Sequence, residues 1–329
     1  MQISIGSLHY FWTAQQTMDF YAALAEQPAD RFFLGEVVCS KRRALKLADW
    51  FQLGRDLQSL GKEVVLSTLT LIEAESEVSV VKRIVENGEF AVECNDISAV
   101  QFACERGLAF TIGPAINVYN SDTFNLLAQQ GMQRWVPPVE LSAMQVEDIY
   151  RGADEFPQAT MSSATMPNAT MPQETLPQES VPGAETPHRQ SPKKPALEIF
   201  AQGRLPLAWA ARCYTARYHQ VPKDQCGFVC QQHPEGLAVR SLEEQALFQI
   251  NGIQTLSHQA CDLSGDVKRM HKMGVDAVRL SLDHPDQVTR VSDWRALLDD
   301  APTAQIRMTA DDAVNGYWHG LPGMVRASR

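Results

Sequence analysis

The order of apolar segments constrains this chain most. Gln2 to Ile5 reads as a strand and Thr13 to Ala25 as a helix, then Arg31 to Val38 and Lys41 to Leu60, then Lys62 to Leu66 and Ala74 to Asn87. Phe90 to Cys94 precedes Ile97 to Arg106, Ala109 to Gly113 precedes Asp122 to Gln130, and Gln133 to Val136 precedes Ser142 to Tyr150. Strict alternation of this kind is the pattern of a parallel sheet, because each parallel strand needs a crossover to reach the next. Two later strands, Ala196 to Phe200 and Ala277 to Leu282, the second preceded by a helical Leu263 to Met273, bring the count to eight. Eight favours an α/β fold of the (β/α)₈ TIM-like barrel type over an open doubly wound sheet. The dinucleotide-binding version of the open sheet loses its main support, since no Gly-x-Gly-x-x-Gly follows the first strand.

One segment breaks the pattern. Residues 152–195 hold eight prolines among Thr, Ser and Gln, and those at 167, 172, 177, 182, 187 and 192 recur every five residues. Proline at that spacing removes backbone donors, and the remaining side chains bury too little surface to offset ordering. A proline-rich docking peptide is one reading, and a solvated linker grown by repeat expansion is favoured. The expected organisation is the first part of a barrel at 1–151, a disordered insert at 152–195 before strand seven, and the rest of the barrel at 196–329.

The formal charge is −10, from 29 Lys and Arg against 39 Asp and Glu, which argues against nucleic-acid binding. No apolar run reaches the ~20 residues of a membrane span, and the start lacks the basic and apolar regions of a secretory signal. A cytoplasmic protein is expected, where thiols stay reduced and clustered cysteines point to metal or redox chemistry.

The seven cysteines are 39, 94, 104, 213, 226, 230 and 261. Cys39 follows the second strand, while Cys213, Cys226 and Cys230 lie in the stretch after the seventh, so four thiols from two loops can meet at the barrel's catalytic rim. Four thiolates suit zinc or an iron–sulfur cluster. The single close pair, Cys226-x₃-Cys230, with its other partners scattered, favours a cluster wrapped by several loops over a zinc knuckle. Cys104 in mid-helix and Cys94 at a strand end read as small core hydrophobes.

Other chemistry is thin. No His-Glu-x-x-His or Gly-x-Ser-x-Gly occurs, so no residue supports a peptidase, and the catalytic residues are unknown. The dispersed histidines read as solvent-facing. Glu36, Glu93, Asn95, Asn117 and Glu140 fall near strand ends, and solvated carboxylates are favoured over acids or bases there. Trp50, Trp135, Trp209 and Phe228 read as core.

Glu198-Ile199-Phe200-Ala201-Gln202-Gly203 resembles the Glu-x-Phe-x-x-Gly start of the signature of the U32, or collagenase-like, peptidase family. Ala211-Arg212-Cys213-Tyr214-Thr215-Ala216-Arg217, Gly35-Glu36-Val37-Val38-Cys39-Ser40-Lys41-Arg42 and Asn251-Gly252-Ile253-Gln254-Thr255 resemble its ubiquinone-biosynthesis branch. Many relatives carry a cysteine just after the signature, where this chain has Arg204, Leu205 and Pro206. The resemblance implies that the early Cys39 replaces it and that a [4Fe–4S] cluster is held by Cys39, Cys213, Cys226 and Cys230. Cys261 is then a spare thiol or a relic. It further implies a role in O₂-independent hydroxylation of the quinone-precursor ring, a paralogue of the same family as heterodimer partner, and prephenate as a possible oxygen donor. A non-catalytic electron-transfer or scaffold subunit and an RNA-hydroxylation protein are the alternatives, the acidic charge weighing against the second.

Overall fold

The computed structural model describes residues 1–153, 194–299 and 313–327. In chain order the elements are β1 (Gln2–Ile5), α1 (Ala14–Ala25), β2 (Arg31–Leu34), α2 (Leu47–Ser59), β3 (Glu63–Ser67), α3 (Glu75–Val85) and β4 (Ala91–Cys94). There follow α4 (Ile97–Glu105), β5 (Phe110–Ile112), α5 (Ser121–Gln130), β6 (Met132–Trp135), α6 (Ala143–Gly152), β7 (Ala196–Trp209) and α7 (Tyr214–Tyr218). The last are β8 (Leu237–Arg240), β9 (Ala246–Asn251), β10 (Gln254–Asp262), α8 (Val267–Met273), β11 (Ala277–Leu280), α9 (Arg290–Leu298) and β12 (Ala313–Val314).

Strands β1 to β7 pair in parallel in sequence order, and β11 pairs in parallel with both β7 and β1. That double pairing, with Ala277 opposite both Gln2 and Glu198, closes the sheet into an eight-stranded parallel barrel. The expected TIM barrel is therefore the fold. Helices begin where the side chains provide caps: Thr13 and Ser142 form capping boxes with Gln16 and Gln145, and Asp96 and Asn120 cap α4 and α5.

The barrel interior is ionic. Arg279 on β11 reaches Glu93 on β4 at 2.6 Å, and these strands are not neighbours, so the pair crosses the interior. Arg279 also meets Glu198 on β7 at 2.7 Å, and Arg134 and Arg31 approach the other Glu198 oxygen at 3.2 and 3.5 Å. Ser4 and Ser67 donate to Glu198 and Glu93 at 3.1 and 2.7 Å. Burial alone would push the Glu198 carboxyl up, but Arg279, Arg134 and Arg31 outweigh it and hold it below the ordinary glutamate range.

The structure departs from the sequence expectations in three places. The second strand ends at Leu34, because Gly35 turns the chain and the Glu36 carboxylate then accepts from the Val38 and Cys39 amides at 2.9 and 3.0 Å. The helix expected from Lys41 begins only at Leu47, since residues 39–42 form a turn closed by the Arg42 amide on the Cys39 carbonyl at 2.9 Å. The seventh strand runs far past Phe200 and continues as the first strand of an antiparallel arm with β10, β9 and β8. The proline-rich insert lies, between 154 and 193, outside the described residues.

Candidate functional site

The loop after β2 and the segment after β7 carry the candidate thiols, and the fold joins them. Lys41 donates to the Asp224 carboxylate at 2.6 Å and to the Lys223 carbonyl at 3.0 Å, and Lys223 in turn donates to the Ala211 carbonyl at 3.0 Å and pairs with Glu73. Cys39 and Cys213 pack on one small apolar cluster of Val37, Val38 and Ile253. Cys213 caps α7, its sulfur accepting from the Ala216 amide at 3.4 Å. Cys226 and Cys230 flank a tight turn in which Gly227 and Phe228 both take left-handed backbone conformations.

Cys39, Cys213 and Cys230 lie within electrostatic reach of one another, and Lys41 lies within reach of Cys39 and Cys226. Burial pushes the Cys39 and Cys230 thiols up, while Arg42 opposes it at both and Lys41's amide at Cys39. None of Cys39, Cys213, Cys226 and Cys230 is in a disulfide. Among the described residues, no group of three or more His, Cys, Asp or Glu side chains stands close enough to hold a metal ion. Cys94 and Cys261 sit elsewhere, in the main core, and Cys261 lines a separate apolar cleft together with Leu205 and Trp318.

Arg42 organises this face. Buried itself, it donates to the His9 carbonyl and the Asn251 Oδ1, both at 2.7 Å, lies 4.0 Å from Glu36, and brings its positive charge near the Cys230 thiol. Gly252 makes room for it: a Cβ there would stand 2.9 Å from Arg42 Nη2, on a backbone at φ +67°. The two short motifs around Cys39 and Asn251, distant in sequence, thus touch through one guanidinium.

Close to Arg42 the barrel mouth opens into a small cleft. His9, Glu93, Asn95, Phe200, Trp209 and Arg279 are among its lining. The strand-end readings therefore need correction. Glu93 is 2% exposed and ion-paired, not a solvated carboxylate, and Glu36 is hydrogen-bonded with burial pushing its carboxyl up. Glu140 is exposed, as the reading of a solvated carboxylate expects, and accepts from the Tyr119 hydroxyl. Nor are the histidines simply solvent-facing: His9 lines the cleft, and His219 and His233 approach ring to ring at 2.8 Å between their Nε2 atoms. Trp135 is core as expected, Trp209 lines the cleft, and Phe228 is 41% exposed against Phe11. His9 and Arg279 were missed because neither belongs to a motif, and their partners lie up to 245 residues away.

Three distant likenesses among solved structures accompany this geometry. Dihydropteroate synthase from Thermus thermophilus is 11% identical, with 90% of this chain and 94% of that one covered and a TM-score of 0.39. The U32 peptidase Mk0906 is 8% identical, covering 86% and 93%, at a TM-score of 0.41. The spore cortex-lytic enzyme SleL from Bacillus megaterium QM B1551 is 9% identical, covering 88% and 73%, at 0.38. The model of peptidase family U32 matches residues 16–160. That stretch, a little under half of the chain, contains β2 to β6, Cys39 and Arg42.

Proposed function

We propose that this chain is a UbiV-type member of the family: the iron–sulfur subunit of an O₂-independent hydroxylase acting on the ring of the ubiquinone precursor, and not a peptidase. The observation that carries the reading is the grouping of Cys39, Cys213 and Cys230 beside Arg42 at the barrel mouth, with Cys226 close to Lys41. A half-buried donor set of soft sulfur fits an iron–sulfur cluster in its chemistry. Cys39, Cys213, Cys226 and Cys230 would hold a [4Fe–4S] cluster. Bound there, it supplies one-electron redox chemistry.

The chain's own residues set the conditions for loading. Thiols raised by burial must lose their protons to become ligands, so cluster affinity rises with pH. Lys41 and Arg42 bring positive charge against the thiolates. The Glu36 carboxylate holds the backbone turn that delivers Cys39.

The partners in this reading are a UbiU-type paralogue in a heterodimer, the ubiquinone precursor, and prephenate as oxygen donor, in the cytoplasm. Among the described residues no helix is long and apolar enough to cross a membrane. Anaerobic purification with iron and sulfide analysis, coupled to a pull-down of the UbiU-type partner, tests the reading. Equal iron and sulfide with partner capture is expected. Zinc without iron or sulfide, in protein never exposed to air, would overturn it.

A further inference from the structure

We infer that Arg42, Asn251 and Gln254 form a directed hydrogen-bond relay from the Arg42 guanidinium to His9, fixing its proton on Nε2 and making His9 a donor to an acceptor oxygen of a ligand in the barrel-mouth cleft.

The direction follows from which groups can only donate. A guanidinium has no acceptor, so the Asn251 atom facing Arg42 Nη2 at 2.7 Å is the amide oxygen. Asn251 Nδ2 is then left to donate, to the His9 carbonyl at 2.7 Å and to Gln254 Oε1 at 3.4 Å. That leaves the Gln254 amide nitrogen toward His9 Nδ1, at 3.2 Å. An amide NH₂ cannot accept, so Nδ1 presents its lone pair and the neutral ring carries its proton on Nε2. Every orientation is forced by the one before it, and Arg42 also holds the His9 backbone through its carbonyl.

The other end of the imidazole has no hydrogen-bond partner among the described residues, and His9 lines the cleft. Two further donors share that cleft: Arg279 Nη2 and Trp209 Nε1 are both buried, with no partner among the described residues. Buried donors without partners are costly in a folded protein. Two such donors in one cleft, with the His9 Nε2 as a third donor, suit a small ligand bearing a carboxylate or carbonyl oxygen. Burial and the nearby charges of Arg279 and Arg42 also disfavour a second proton on the ring. Arg42, Asn251 and Gln254 are positioning residues in this arrangement. The inference stands whether or not the thiols hold a cluster.

The test is ¹⁵N NMR of the full chain labelled at histidine, with His9 assigned by loss of its signals in His9→Gln. A protonated, pyrrole-type Nε2 and a bare, pyridine-type Nδ1 are expected. Gln254→Glu places an acceptor opposite Nδ1 and should move the proton to Nδ1 while circular dichroism stays unchanged. Benzoate, added as a probe carboxylate, should shift the His9 Nε2 signal, and His9→Phe should weaken its binding about tenfold, one hydrogen bond's worth. A wild-type ring protonated on Nδ1 would overturn the relay without any variant. So would a tautomer unmoved in folded Gln254→Glu. No response of His9 to millimolar benzoate would overturn its role as the cleft's donor. Iron content is measured on the same samples, so failure of the cluster reading registers separately.

Discussion

Arg279 pairs with two buried carboxylates at once. It lies 4% exposed between Glu93 and Glu198, with the Phe33 ring stacked 3.8 Å away. Arg279→Met keeps the bulk and leaves Glu93, 2% exposed, without an ion-pair partner among the described residues, while the buried Glu198 keeps Arg134 and Arg31. Breaking one side of such a buried pair costs about 3–5 kcal/mol, so urea unfolding should show a loss of that size, and a loss under about 1 kcal/mol would contradict an interior held by this pair. His9 adds a pH dependence of defined sign. Burial, then Arg279 and Arg42, lower its pKa from 6.5 to about 4. Between those values the unfolded chain binds the proton and the folded chain does not, so His9's contribution is complete above 6.5 and fades as pH falls toward 4. Stability measured from pH 7 down to pH 4 should fall more steeply in the wild type than in His9→Gln, by up to about 3 kcal/mol. Equal slopes would contradict it. Neither residue was legible in the sequence, because an ion pair 186 residues apart leaves no local pattern. The thiols were legible as candidates, since their positions relative to strand ends can be read directly.

At the level of elements, the strand-and-helix alternation could be read because each barrel strand is a short apolar run with a capped helix behind it. The antiparallel arm could not. The run Gln202-Gly203-Arg204-Leu205-Pro206 reads as loop punctuation, since glycine and proline weaken strands. In the fold it is continuous strand, with the pairing to β10 shifting register around Pro206, opposite Leu256. Gly203 is there for a reason of space: its φ is +125°, and a Cβ would collide with the Ser281 carbonyl. Gly203→Ala therefore combines left-handed strain with a backbone clash and should cost at least about 2 kcal/mol by chemical denaturation. A neutral outcome would mean that β7 and the loop after β11 do not pack as described. Glu198 and Phe200 find their reasons in the same strand, one in the ionic interior and the other lining the cleft.

At the level of the whole molecule, the barrel brings together what the chain keeps apart. Cys39 follows β2, while Cys213, Cys226 and Cys230 follow β7, and Arg42 links the β2 loop to Asn251 at the end of β9. This convergence at one mouth is why a single-site variant far from the other thiols should empty the whole site. The most direct measurement is the iron and sulfide content of anaerobically prepared wild type beside Cys39→Ala and Cys261→Ala. A full complement is expected in the wild type, most of it lost in Cys39→Ala, and near-wild-type content in Cys261→Ala, whose thiol sits in the core beside the apolar cleft. A Cys39→Ala protein that kept its iron and sulfide while Cys261→Ala lost them would contradict it.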